Sequence, residues 1–242
     1  MGAILRTLRS EELNRLARAE LERRGLSLVP GDWLGRLGRR LGLERLSIGD
    51  VRKSWDVLET ATFLDARVGR DQPIVDFGAY HSEITGVLSR MGYGNLHAID
   101  LNPGVARGPY PGRIRYRVGD FLASGYASGT FAAITSISAI EHGHSTERLL
   151  AEVARLLVPG GFFVASTDYW PEKVDTAGIR IFGMDWTVFS AADLAALFET
   201  ARGNGLVPVG PLDYGAAEPA VRFAGKQYTF AWFALRKESA AA

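Results

Sequence analysis

Three aspartates recur at the ends of short apolar runs. Asp76 closes Ile74-Val75, Asp100 closes Leu96-His97-Ala98-Ile99, and Asp120 follows Ile114–Val118 and Gly119. A fourth polar stretch, Ser136–His142, ends the apolar run that begins at Phe131. A carboxylate offers two acceptor oxygens, which suits the paired hydroxyls of a ribose. Gly78, two residues past Asp76, lets the backbone turn sharply and come close to a ligand. The helix that follows it presents unpaired N–H groups at its start. Asp100 lies 22 residues beyond Gly78, at the end of the next run. One such acid is a turn former. Three at successive run ends point to a nucleoside. A dinucleotide is a poorer fit, because the G-x-G-x-x-G fingerprint is missing: Tyr80 and Ser82 stand where further glycines would leave room for a pyrophosphate. His142 has the pKa of a neutral-pH base and follows the fourth run; Asp168, after Phe162–Ala165, is a second candidate. Tyr169, Trp170 and Trp186 could stack on a ring. His142 and His144 with Glu141 are too few ligands for a metal site, and none is expected.

Positioning these residues requires strand ends in register. The short apolar runs alternate with helical stretches at Ile84–Met91, Ser145–Leu157 and Ser190–Ala201. From residue 73 onward this alternation implies a mostly parallel sheet covered by helices on both faces. Pro159-Gly160-Gly161 stops the second of these helices, and Leu206–Leu212 and Lys226–Leu235 are the last strand candidates. Residues 1–70 read instead as a helical layer. Ser10 with Glu11 and Glu12 starts one helix, Trp33, Leu34, Leu37 and Leu41 form a second stripe, and Ile48–Leu64 carries a third. Residues 1–55 hold a local charge of +5 against −4 for the rest, with arginines interleaved among glutamates as on a solvated helix face. The expected domains are a cap over 1–70 and a core over 71–238, with 169–189 an insertion on the substrate side.

Composition sets the outer bounds. The chain has 242 residues, 47% hydrophobic and 23% charged, a net charge of +1 and no cysteine. Thiol nucleophiles, disulfides and cysteine-held metals are excluded. No global field draws the chain to nucleic acid or membrane, and a cytoplasmic protein is expected.

Taken in order, these pieces resemble the class I S-adenosylmethionine-dependent methyltransferases, in their small-molecule "type 11" branch. The pieces are Ile74-Val75-Asp76-Phe77-Gly78, Ala98-Ile99-Asp100-Leu101-Asn102-Pro103, Val118-Gly119-Asp120-Phe121 and Ile137-Ser138-Ala139-Ile140-Glu141-His142. The helix Leu149–Leu157, ending in Val158-Pro159-Gly160-Gly161, completes them. The resemblance covers Pro73–Ala165. It implies a Rossmann-like seven-stranded sheet closed by a C-terminal antiparallel hairpin. It also implies S-adenosylmethionine as cofactor and S-adenosylhomocysteine as product. Asp76, Gly78, Ala79 and Tyr80 would frame the methionine part. Asp100 would take the ribose hydroxyls, with Leu101 against the adenine. Asp120 would meet the adenine amino group beside Phe121, and Ile137 and Ser138 would line the site below the sulfonium. The family commonly has a glycine where Tyr80 stands, so Tyr80 either crowds the methionine tail or turns away from it. The expected reaction is methyl transfer to oxygen or nitrogen of a small molecule, a sugar moiety or natural-product scaffold by preference, with a homodimer through the N-terminal helices. The alternatives are an inactive methyltransferase-like scaffold and, more weakly, a nicotinamide oxidoreductase.

Overall fold

The structure is a computed structural model that describes residues 4–29 and 48–239. In chain order the elements are β1 (Arg6–Thr7), α1 (Glu11–Arg23), α2 (Ser54–Asp65), β2 (Ile74–Phe77), α3 (Ile84–Arg90), β3 (Leu96–Asp100), β4 (Ile114–Val118) and β5 (Phe131–Ile137). There follow α4 (Thr146–Leu156), β6 (Leu157–Tyr169), β7 (Arg180–Ile181), β8 (Met184–Asp185), α5 (Ala191–Gly203), β9 (Leu206–Pro208), β10 (Val221–Phe223) and β11 (Lys226–Lys237). The stripe at Trp33, Leu34, Leu37 and Leu41 lies outside the described residues.

The main sheet runs β1-β11-β6-β5-β2-β3-β4. Strands β2 to β6 pair in parallel, and β11 is antiparallel to β6 and to β9. These make the seven strands expected; β1 and β10 add short antiparallel pairings along β11. The chain leaves β2 toward β3 and β4 on one side, then returns to β5 and β6 on the other. The switch therefore lies between β2 and β5, the place where such sheets open a crevice beyond their carboxyl ends.

The two faces follow from strand alternation. Val75, Phe77, Ile134, Phe163 and Phe233 pack with Leu149, Leu150 and Val153 of α4 and Leu197 and Phe198 of α5. Ile74, Leu96, Val164 and Trp232 pack against Leu21 of α1, Val57, Ala61 and Leu64 of α2, and Val87 and Leu88 of α3. The N-terminal layer thus covers one face of the sheet, while β1 joins its edge. Arg6 and Thr7 pair with Trp232 and Ala231, and Leu5 and Leu8 are fully buried on either side. Among the described residues no helix is long and apolar enough to cross a membrane.

Local signals place the helices. The Ser10 side chain accepts from Leu13 N–H and opens α1. Ser190 and Asp193 form a reciprocal capping box at α5. Ser190→Ala is expected to lower stability by about 1 kcal/mol, read from urea unfolding. At Pro159-Gly160-Gly161 the structure differs from the expectation in detail. Helix α4 ends at Leu156, and β6 has already begun at Leu157. The Pro-Gly-Gly sits inside that strand, where its register against β5 shifts between Phe131 and Ala133. Glycine and proline tolerate such an irregularity.

Candidate functional site

A cavity of about 590 Å³ opens at the switch between β2 and β5. Gly78 forms one wall with φ +73°, and a Cβ there would run into the Ala139 side chain. Both the backbone conformation and the close approach therefore require glycine. Opposite, Asp100 ends β3 with its carboxylate held in place. Oδ1 accepts from Asn102 N–H at 2.7 Å and Oδ2 from Tyr80 N–H at 2.9 Å. Its remaining lone pairs face a cavity also lined by Leu101, Phe121, Ile137 and Ser138. Phe121 lies stacked on Phe77, ring centroids 5.1 Å apart.

Tyr80 lines the cavity as well, but its ring rests on His81 at 3.8 Å and crosses the turn at Gly104. Its backbone still serves, through the bond to Asp100. Three non-glycine residues on this cavity have left-handed backbone, His81 at φ +64°, Ser138 at φ +49° and Phe182 at φ +54°. Such residues cost about 1–3 kcal/mol each and gather at functional sites.

Several expected residues stand elsewhere. Asp76 is fully buried below the cavity, accepting from Thr135 Oγ1 at 2.6 Å, and burial pushes its carboxyl up to about 7. Asp120 caps the short turn Phe121–Ala123 by accepting from Leu122 N–H. Ala79 borders the neighbouring small cleft with Tyr80 and Tyr116. Tyr169 is buried in the α4–α5 face, its hydroxyl donating to the Tyr214 carbonyl. Trp170 packs on the opposite face. Trp186 is buried, and its Nε1–H donates to Asp168 Oδ2 at 2.8 Å. None of these six borders the main cavity. Asp168 is 5% exposed and absent from the cavity wall; its other oxygen accepts from Lys53 Nζ at 3.2 Å.

His142 does line the cavity, 9% exposed, with Nδ1 buried and without a hydrogen-bond partner. Burial pushes its pKa down to about 4, against the opposing pull of Asp168. It stands as a neutral imidazole. The 169–189 segment reaches the cavity through two residues that were not anticipated, Phe182 and Met184. They belong to the β7–β8 hairpin, whose two-residue turn Phe182-Gly183 has positive φ at both positions. Phe182 is 76% exposed and meets the His142 ring edge-on at 5.7 Å. The segment is tied down by Thr187 N–H to the Glu141 carbonyl and Phe189 N–H to the Asp168 carbonyl. The N-terminal layer contributes Gly49, Asp50, Lys53 and Val57 to the same cavity. It is tied to the core at Glu83, whose Oε1 accepts from Ser27 Oγ and from the Leu28 and Val29 N–H groups.

Residues 75–165 match the family model described as a methyltransferase domain. No curated protein matches the chain by sequence. Among solved structures, the chain is similar to a geranyl diphosphate C-methyltransferase from Streptomyces coelicolor, with TM-score 0.56 and 16% identity over 94% of this chain and 97% of that one. It is also similar to the 1,6-didemethyltoxoflavin-N1-methyltransferase of Burkholderia thailandensis, with TM-score 0.54 and 20% identity over 76% and 79%. A third is phosphoethanolamine N-methyltransferase 2 of Haemonchus contortus, with TM-score 0.53 and 14% identity over 75% of this chain and 53% of that one. Those three proteins act on carbon or nitrogen of unlike acceptors, so the shared architecture specifies no acceptor atom. Residues 75–165 match a methyltransferase-domain model, and the chain has the Rossmann-like fold that these methyltransferases share.

Proposed function

We propose that the protein transfers a methyl group from S-adenosylmethionine to an oxygen or nitrogen of a small molecule, releasing S-adenosylhomocysteine. The observation that carries this reading is the cavity at the sheet's switch point. Gly78, Asp100, Leu101, Phe121, Ile137 and Ser138 border it together, and a fixed carboxylate faces the space a ribose would fill. The sulfonium is already a good electrophile. The protein's contribution is alignment of acceptor, methyl and sulfur, and exclusion of water. Asp100 would take the two ribose hydroxyls, Leu101 and Phe121 would flank the adenine, and Gly78 would let the methionine tail lie against the backbone. The acceptor would enter between the β7–β8 hairpin and the N-terminal layer. The sequence favours a sugar moiety or a natural-product scaffold there.

His142 is the group on that side able to take a proton. Its low basicity limits it to an acceptor whose proton is itself labile. His142→Ala is expected to slow turnover at least about tenfold with cofactor affinity unchanged; an unaltered rate removes it as the base. The opposing reading, a scaffold without catalysis, rests on Tyr80 occupying the methionine tail's place. Calorimetric titration with S-adenosylhomocysteine, with NAD as control, separates the two. Micromolar binding of the first alone supports the enzyme; no binding of either supports the scaffold. The reading also includes a homodimer through the N-terminal helices, where Leu13 and Leu16 of α1 are 40% and 58% exposed. A light-scattering mass of one chain removes that element.

A further inference from the structure

Lys53 has no part in the reading above, yet it is the one lysine or arginine among the described residues that border the cavity. It comes from the short turn Val51–Lys53 that leads into α2. Its ammonium is fixed from two sides. Asp168 Oδ1 accepts from Nζ at 3.2 Å, and the Phe230 ring centroid lies 3.2 Å from Nζ. Asp168 is itself held by Trp186 Nε1–H on its second oxygen, so it positions Lys53 rather than meeting a ligand. An ammonium has three donors, and Asp168 takes one. The side chain keeps 18% of its surface exposed.

The surroundings leave that cation effective. Three other acids lie near it: Asp50 on the cavity wall, whose carboxylate accepts from the Arg52 guanidinium on both oxygens, and Asp56 and Glu141. Asp56 and Glu141 are buried, and burial pushes their carboxyls up to about 7 and about 8, which reduces their negative charge near neutral pH. The Lys53 charge also reaches His142 and helps to hold that imidazole neutral. Val57, Phe182 and Met184 add apolar surface to the same cavity. A cation repels a protonated amine and attracts an oxyanion. A neutral imidazole of low basicity accepts a proton only from an acidic donor.

We infer that Lys53 is a catalytic residue that selects an acidic hydroxyl, a phenol or enol on a flat apolar body, as the methyl acceptor and stabilises its oxyanion. This deepens the proposed methyl transfer and rests on the cofactor reading. In the step, the hydroxyl proton passes to His142, and the oxygen, held at the Lys53 ammonium, forms a bond to the methyl carbon. The methyl–sulfur bond breaks and its electron pair stays on sulfur, giving the methyl ether, S-adenosylhomocysteine and a protonated His142 that returns its proton to solvent.

The test uses the full chain saturated with S-adenosylhomocysteine and two chromophoric probes, 4-nitrophenol and 7-hydroxycoumarin, with their methyl ethers as controls. Absorbance and fluorescence report the oxyanion directly. At least one bound probe is expected to ionise one pH unit or more below its free value and to bind at least about tenfold more tightly than its ether. Lys53→Met should abolish the shift and weaken the phenol about tenfold, leaving the ether and S-adenosylhomocysteine affinities unchanged. Lys53→Arg should keep most of the shift, which separates lost charge from lost fold. An equal shift in Lys53→Met, no shift in the wild type, or binding of neither probe to the loaded protein overturns the inference. Failure of S-adenosylhomocysteine to bind the wild type overturns the cofactor reading instead, and this inference with it.

Discussion

Asp100→Ala is expected to weaken S-adenosylhomocysteine binding on the order of a hundredfold, about 3 kcal/mol, while the protein stays folded. Two effects add. The ribose hydroxyls lose a charged acceptor, and hydrogen bonds to charged groups contribute about 1.5–3 kcal/mol each. The carboxylate also organises the backbone on both sides of the cavity, since it joins Tyr80 N–H of one loop to Asn102 N–H of the next. Without it the two loops are no longer linked, and ordering them becomes part of the cost of binding. Asp100→Asn separates the contributions. Its single carbonyl oxygen keeps one of the two backbone bonds and one ribose contact, so the loss should be near tenfold. Calorimetry of the two variants beside the wild type gives the result. Unchanged affinity in Asp100→Ala places the ribose elsewhere and removes the central element of the proposed site. Because Asp100 lies at a strand end outside both hydrophobic clusters, thermal stability should move little.

What was legible beforehand follows from what repeats. Asp100 and Gly78 could be placed because a parallel sheet brings successive strand ends to one edge, and an apolar run ending in an acid or glycine marks such an end. The same reasoning put Asp76 and Asp120 at strand ends, where the structure has them, but says nothing of where their side chains turn. Strand alternation turns Asp76 away from the crevice toward Thr135, its partner in register on β5. The carboxylate of Asp120 turns back onto its own loop to accept from Leu122 N–H. The aromatic residues failed for a different reason. Tyr169, Trp170 and Trp186 were chosen by type, but large rings are also what a core takes up, and Tyr169 and Trp186 are buried. Phe182 carried a usable signal, since Phe182-Gly183 is a two-residue turn between short paired segments. An aromatic at such a tip stays exposed. The β1 strand left none. Two residues have no periodicity, and they form a strand only because β11 offers a free edge there. Lys53 was hidden likewise: a lysine before a helix reads as a solvated charge until Asp168, 115 residues away, is placed beside it.

The buried acids behind the cavity, Asp56, Asp76 and Glu141, make stability fall as pH rises through neutrality. Asp56 is fully buried, accepts from Ser166 Oγ at 2.9 Å, and leaves Oδ1 without a partner. Burial pushes its carboxyl from 3.8 to about 7. Glu141, which accepts a long 3.3 Å bond from Thr167 Oγ1, is pushed from 4.5 to about 8 by burial and then by the Asp168 charge. A raised carboxyl keeps its proton in the fold after the unfolded chain has lost it. Stability therefore falls as pH rises between the unfolded and folded values, by at most about 1.4 kcal/mol per unit for each group. His97 and His142 act in the opposite sense. Burial lowers both to about 4, so the unfolded chain takes up their protons first, and below about pH 6.5 their effect offsets much of the acids'. From pH 6.5 to 8.5 the three acids outweigh the last of the histidine effect, and the expected loss is about 3 kcal/mol. Urea unfolding followed by tryptophan fluorescence measures it. Glu141→Gln should remove most of that alkaline slope, because the amide oxygen still accepts from Thr167 and nothing remains to ionise. Asp56→Asn and Asp76→Asn should each remove part of the remainder, and Asp56→Asn should raise stability at pH 8. A profile that these substitutions leave unchanged would mean that the acids are ionised in the fold at neutral pH. Lys53 would then face two further charges besides Asp168, and the pull it exerts on an acceptor oxyanion would be largely cancelled.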